Sequence, residues 1–294
     1  MNTKQFVTLA VLTFSSGSHA SSVYLGIETS DTHVFLGDES HTLTPTGPSI
    51  AFNYDLDDNW GVNFDYARLN TTKQIAEPVA IDFESESWGA GVSYYSERWS
   101  AYYQFSNYDD QQLTDDSGPA PSSNSETDSV THSIGASYYW LLDGDWQISN
   151  SLGLHYSDWE QTLTEIHDEP EPPPMTVLDP GSATLLSASL GVNKALTLSE
   201  DSDLNVGFYV SWNEVLESDT DTSDVSNEPN RSNPPDRDQN RNNFVASGSE
   251  SYGLLSAYIA VDFAQNWTVD LDTSVDFGID DSSQSWRLSV GYQF

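Results

Sequence analysis

The chain has 294 residues, 9 Lys+Arg against 46 Asp+Glu, a formal charge of -37 and no cysteine. So acidic a chain repels phosphate backbones, which excludes nucleic acid as a partner, and zero Cys removes disulfide frameworks, thiolate metal sites and thiol nucleophiles. Low hydrophobicity with high charge can mean disorder, but 12% aromatic residues, with 9 Trp and 15 Tyr, point to a large folded structure.

Met1 to Ala20 carries a positive Lys4, an apolar run from Phe6 to Phe14 and a small-x-small site at Ser18-His19-Ala20. These are the parts of an export signal cleaved after Ala20. The apolar run is about half the roughly 20 residues a helix needs to cross a bilayer, so a membrane anchor is disfavoured. Residues 1–20 are expected to be a signal peptide and 21–294 one mature domain.

Beyond Ala20 the organising signal is alternation. From Trp286 to Phe294 every even position is apolar or aromatic and every odd one polar or small, the period of a strand with two unlike faces. The pattern recurs at Trp60, Val62, Phe64 and Tyr66, and at Trp267, Val269, Leu271, Thr273, Val275 and Phe277. About twelve such segments, most about 9 to 15 residues long, start near residues 22, 48, 60, 86, 98, 128, 146, 181, 203, 250, 267 and 284. Tight turns at residues 57–59, 96–98, 143–145, 199–202 and 264–266 alternate with polar loops at 31–47, 69–85, 109–127, 159–180 and 217–248, and a shorter one near 280–284.

Short and long connections alternating over an even number of strands predict an all-β fold: a transmembrane antiparallel up-and-down barrel of about 12 strands, of the outer-membrane kind. Aromatics mark both edges of the apolar band. Trp60, Trp99, Trp146 and Trp267 follow the tight turns, and Tyr66, Phe105, Tyr156, Trp212 and Phe277 flank the long loops, as interfacial girdles require. A soluble β-sandwich is the alternative. Its solvated face would carry charges, whereas the second face here is mainly Ser, Gly, Asn, Ala and Tyr.

The ending SWRLSVGYQF, with Leu288, Val290, Tyr292 and the terminal Phe294 on one face, resembles the C-terminal assembly signal of Gram-negative outer-membrane proteins. GPSIAFNYDLDDNWGVNFDYARL is similar to a generic outer-membrane hairpin. The resemblance implies a location in the outer membrane of a Gram-negative bacterium, contact with its lipids and lipopolysaccharide, and help from the barrel-assembly machinery. A solitary autotransporter-like barrel and a small porin are both compatible with it. Only Ser21 and Ser22 precede the first mature strand, so no passenger or plug helix is expected. Porins for acidic sugars line the lumen with Arg, and the scarcity of Lys and Arg here disfavours acidic substrates.

With the apolar face toward lipid, the inward set includes Glu28, Asp55, Asp65, Asp262, Asp270, Asp272 and Asp276, against Arg287. The last strands and the first are adjacent once a barrel closes. Asp262, Asp270, Asp272, Asp276, Arg287 and Glu28 are therefore expected in one wall patch, with Asp65 also pore-lining and Arg287 paired to an Asp of the strand from Trp267. Carboxylates on a wall concentrate cations and exclude anions. Inward Gly89, Gly91, Gly135, Gly153, Ser187, Ser189 and Gly207 are expected to leave room in the lumen.

Signals for catalysis are weak. His33, His41, His132, His155 and His167 sit in no lipase or protease motif; His155 is expected to be an inward polar residue near the outer rim, and His132 an outward one. No enzyme is therefore expected. Asp219, Asp221 and Asp224 alternate as oxygen ligands for a hard cation do, without the Gly and terminal Glu of an EF-hand loop. No cofactor is expected, with loosely held Ca2+ or Mg2+ at the acidic loops as the one alternative. The leading expectation is a narrow passive channel, weakly cation-selective, for small cationic or neutral solutes. The alternative is a non-conducting surface barrel whose acidic loops bind cations or a partner, and a lipid- or surface-modifying enzyme ranks behind both.

Overall fold

The structure, a computed structural model, describes residues 2–4, 21–36, 39–76, 79–116, 122–142, 144–166, 176–220, 251–264, 266–278 and 282–294. The strands in chain order are β1 (Asn2–Lys4), β2 (Ser22–Ser30), β3 (Thr32–Leu36), β4 (Glu39–Leu43), β5 (Thr46–Asp55), β6 (Trp60–Ala76), β7 (Val79–Tyr95), β8 (Trp99–Asp116), β9 (Ser122–Leu142), β10 (Trp146–Ile166), β11 (Thr176–Ser199), β12 (Ser202–Thr220), β13 (Tyr252–Phe263), β14 (Trp267–Phe277) and β15 (Gln284–Gln293). Twelve of them, β2 and β5 to β15, close into an antiparallel barrel, and β1, β3 and β4 form a separate three-stranded sheet.

Closure is made by β15 against β2, from Ser285 opposite Ser30 to Gln293 opposite Ser22. The Phe294 N–H donates to the Ser21 carbonyl at 2.9 Å, and the Phe294 ring lies 6.3 Å from that of Phe52 on the lipid face. Leu288, Val290, Tyr292 and Phe294 all point outward and are exposed. Strand alternation has the same effect throughout: Leu25, Ile27, Phe64, Ile134, Leu152, Leu190, Phe208 and Ile259 stand exposed on the outer wall. In water such exposure would be a liability. In hydrocarbon it is the solvated state, while the closed ladder leaves no unpaired strand edge. Trp60 packs edge-on to Tyr94, and Trp267 to Tyr292, at ring separations of 5.0 Å. At the other edge of the band Trp88 meets Phe105 at 5.2 Å.

Three features differ from the sequence reading. First, strands β6 to β12 run to as many as 24 residues, so much of 69–85, 109–127 and 159–180 is sheet rather than loop. Past the outer girdle the outward positions change from apolar to charged, as at Asp82, Glu84 and Glu86. The hydropathy alternation fades there although the hydrogen-bonded ladder continues.

Second, residues 31–47 hold the β3–β4 hairpin, which folds against the inner wall of the outer mouth. Val34 and Leu43 are fully buried with Ile81 and Phe83, the latter two inward-facing on β7, and Ile75 packs against them. Lys73 Nζ donates to the Thr42 carbonyl at 2.6 Å, and His33 Nε2 is hydrogen-bonded to the Ser282 carbonyl at 3.1 Å. Of the expected signal peptide, Met1 and residues 5–20 lie outside the described residues, and Asn2–Lys4 pair with β3.

Third, most of the inward glycines do not leave open space. Gly135 faces Tyr102, Gly191 faces Tyr209, Gly207 faces Tyr258 and Gly291 faces Tyr24, each as a direct cross-strand pair. In every case the tyrosine ring occupies the place a Cβ would take, the packing that rescues glycine within a sheet. Gly89 and Gly91 are covered likewise by the side chains of Asp65 and Asn63, and Gly153 by Ser187 and His155. Tyr209 Oη also donates to Asn193 Oδ1 at 2.7 Å. Gly191→Ala should therefore destabilise the barrel by about 1–3 kcal/mol through overpacking. Read by denaturant unfolding in detergent, the same change in a Tyr209→Ala background should add little.

Candidate functional site

Because β14 turns Trp267, Val269 and Leu271 to lipid, it must turn Thr268, Asp270 and Asp272 inward. The neighbouring strands add Asp262 from β13, Arg287 and Ser289 from β15, and Glu28 from β2, opposite Arg287. These residues line a cavity of about 240 Å³ inside the barrel, which Asp65 of β6 and Gln104 of β8 face from another side. Among the described lining residues five are carboxylates (Glu28, Asp65, Asp262, Asp270, Asp272) and one, Arg287, is a cation.

The wall is organised by hydrogen bonds. Arg287 donates from both Nε and Nη2 to Asp272 Oδ2, at 3.2 and 3.0 Å. Ser289 Oγ donates to Asp270 Oδ2 at 2.5 Å. Asp262 accepts from Thr268 Oγ1 at 2.6 Å and from Asn205 Nδ2 at 2.8 Å. Asp65 accepts from Gln104 Nε2 at 3.4 Å. Apart from Arg287, every one of these donors is neutral. They orient the carboxylates without cancelling their charge.

Asp276 is not brought into this cavity. It lies four residues beyond Asp272 on the same face, so at about 3.3 Å per residue it sits well above the others, buried beside Ser283. Asp55 faces inward near the opposite end of the barrel, opposite Gly61. Asp219 is exposed at the outer end of β12, opposite Ser182, whereas Asp221 and Asp224 lie outside the described residues. Among the described residues no group of three or more His, Cys, Asp or Glu could hold a metal ion.

The opposite wall is uncharged. On β9 every second residue from Ser123 to Ser133 is a hydroxyl: Ser123, Ser125, Thr127, Ser129, Thr131 and Ser133, all buried and inward. Partners reach it from β10, with Thr131 Oγ1 hydrogen-bonded to Ser157 Oγ at 2.9 Å and Gln161 Nε2 donating to Ser125 Oγ at 3.1 Å. His155 belongs to this wall, its two ring nitrogens hydrogen-bonded to Ser133 Oγ at 2.9 Å and Ser187 Oγ at 2.8 Å. No carboxylate orients it, so nothing in this arrangement raises the basicity of the imidazole. His132 faces outward and is hydrogen-bonded through Nδ1 to Tyr103 Oη at 2.8 Å.

Two groups of acids lie beyond the outer girdle. On the outer surface Glu86, Asp109, Asp128 and Glu160 are directly opposite one another in turn across β7 to β10. On the inner face stands Asp110, five residues past Phe105. Burial, with the charges of Asp128 and Asp109 adding, pushes its carboxyl well above the usual carboxylate range. The sequence reading places Asp110 in a loop, because Asp109 to Gln112 are polar at every position and show no alternation.

No family model and no curated protein matches the chain. Several solved structures do. The translocator domain of autotransporter NalP from Neisseria meningitidis superposes with a TM-score of 0.62 at 12% identity, over 95% of this chain and 90% of that one. The beta domain of the Bordetella autotransporter Brka gives 0.61 at 11%, over 94% and 100%. The transport unit of AIDA-I from Escherichia coli gives 0.51 at 12%, over 98% and 94%. At such identities the likeness is one of fold. The chain is a closed twelve-stranded antiparallel β-barrel of the outer-membrane type.

Proposed function

We propose that this barrel is a narrow passive diffusion channel of the Gram-negative outer membrane that prefers cations and admits small cationic or neutral solutes. The observation that carries the reading is the imbalance of five carboxylates to one guanidinium around a single lumenal cavity. Passage needs no bond to be made or broken, so no catalytic residue is invoked. Export by residues 1–20 and assembly through the β15 strand belong to the same proposal. So does loose binding of Ca2+ or Mg2+ at Asp219, Asp221 and Asp224.

Magnitudes support a weak preference rather than a strict filter. A carboxylate about 7 Å from a passing monovalent ion in a water-like dielectric is worth about 0.6 kcal/mol, roughly a threefold bias. Several such groups act together, and salt screens them. The β3–β4 hairpin sets the bore, because Thr32 and Pro45 at its two ends line the same cavity.

The second reading, a non-conducting surface barrel, is favoured by the acidic row Glu86, Asp109, Asp128 and Glu160 outside the mouth. Like charges directly opposite one another are unfavourable unless counter-ions collect there.

Two mutational results separate the readings. Asp270→Asn with Glu28→Gln should lower the cation-to-anion permeability ratio in planar bilayers by about threefold per charge at low salt, while Arg287→Gln should raise it. An unchanged reversal potential in both the double variant and Arg287→Gln would remove this wall as the selective element. Replacing Val34 and Leu43 together by Asp should release the hairpin and enlarge the single-channel step; an unchanged step would show that the hairpin does not set the bore.

A further inference from the structure

The lumen is filled unevenly. Toward the outer end of β10 and β11, Trp159 packs with Ala183 and Leu185 and lies over Gly181. Nearer the inner end Tyr209 covers Gly191, is hydrogen-bonded to Asn193 and lies 6.1 Å from the ring of Tyr258. Between these levels stand His155, bonded to Ser133 and Ser187, and Tyr102, which reaches from β8 over Gly135. The other side of the barrel is open. Gly26, Ser49, Ala51, Ala67, Ser87 and Ser106, from β2 and β5 to β8, are small, half-buried and line the cavity of about 240 Å³. Of its described lining residues only Ser133 and Asn205 belong to β9–β12.

Asp65 is the one charged side chain that β5 to β8 contribute to this lining. It lies across Gly89, which is paired in register with Ser106 on the next strand. Glu28, Asp270, Asp272 and Arg287 line the same space from β2, β14 and β15. We propose that the open route through the lumen is off-axis: solute passes along the small side chains of β5 to β8, between Asp65 and the wall of Glu28, Asp270 and Asp272, and the β9–β12 half is closed to it. This rests on the channel reading and deepens it, because it assigns the place of passage and makes Asp65 the determinant of charge preference on the far flank. A small cation on this route has a carboxylate on either side, and the hydroxyls of Ser49, Ser87 and Ser106 can replace part of its hydration. The space corresponds to about eight waters at roughly 30 Å³ each, so it suits single small ions and solutes of a few heavy atoms.

The chain has no cysteine, so a single introduced thiol reports its own surroundings. Ser87→Cys and Ser106→Cys place one on the open flank with almost no change of shape. Ser149→Cys places one on the closed side, at a position that is 8% exposed and opposite Gly191. In detergent-refolded full-length protein, 2-(trimethylammonium)ethyl methanethiosulfonate should modify the first two about tenfold faster than the third, which should react fully once unfolded. The adduct should also shrink the single-channel step at residues 87 and 106. At Ser106→Cys the cationic reagent should outpace the anionic 2-sulfonatoethyl reagent, each rate taken relative to free cysteine, and Asp65→Asn in the same chain should cut that excess by about threefold. Labelling is read by mass spectrometry without any conduction, so failure of the channel reading and failure of the route are told apart. Equal rates at the three positions, or faster reaction at Ser149→Cys, would overturn the off-axis route. A charge preference unchanged by Asp65→Asn would overturn the role given to Asp65.

Discussion

Hydrocarbon offers no hydrogen bonds, so a strand that enters a bilayer must have every backbone N–H and C=O paired on both sides. The pairing of β15 with β2 meets that condition for the whole molecule, since it joins the last and first barrel strands and removes the only two edges. Everything else is positioned by it. With the ring closed, alternation assigns each side chain either to lipid or to the lumen. Asp270, Asp272, Arg287 and Glu28, which lie at opposite ends of the sequence, then become neighbours.

The interior that results is asymmetric. From β13 round to β2 it carries carboxylates steadied by neutral donors, with Arg287 as their single cation. On β9 to β11 it carries hydroxyls, amides and one histidine, many of them bonded across strands. Tyrosine rings laid over Gly135, Gly191, Gly207 and Gly291 fill much of the remaining width, and the β3–β4 hairpin narrows the outer mouth. In the proposed channel the carboxylate wall attracts a cation and repels an anion, while the hydroxyls and amides opposite can bond either.

Much of this was legible in the sequence, because the membrane enforces a simple rule. Trp286 to Phe294 alternates without exception and Trp267 to Phe277 with only Thr273 out of pattern, so the inward placement of Asp270, Asp272 and Arg287 follows from parity, and adjacency of the ends follows from closure. The rule weakens beyond the apolar band. Glu84 and Asp110 are both polar although they lie on opposite faces, so hydropathy cannot separate outer from inner and the strand extensions read as loops. The hairpin was hidden for a different reason. Val34-Phe35-Leu36 and Leu43 are short apolar interruptions of a polar stretch, and the significance of Val34 and Leu43 depends on Ile81 and Phe83, distant in sequence. The Tyr–Gly pairs were likewise invisible until strand register was known, since each joins residues on two different strands.

The central claim is that the acidic wall faces an open path. The most direct measurement is the reversal potential of the refolded protein in a planar bilayer across a KCl gradient, recorded together with single-channel steps. Discrete steps that reverse toward the potassium equilibrium potential, with the preference shrinking as salt rises, are the predicted result. Steps that reverse at zero or toward chloride, or no steps from protein shown to be folded by its heat-modifiable mobility, would contradict the account.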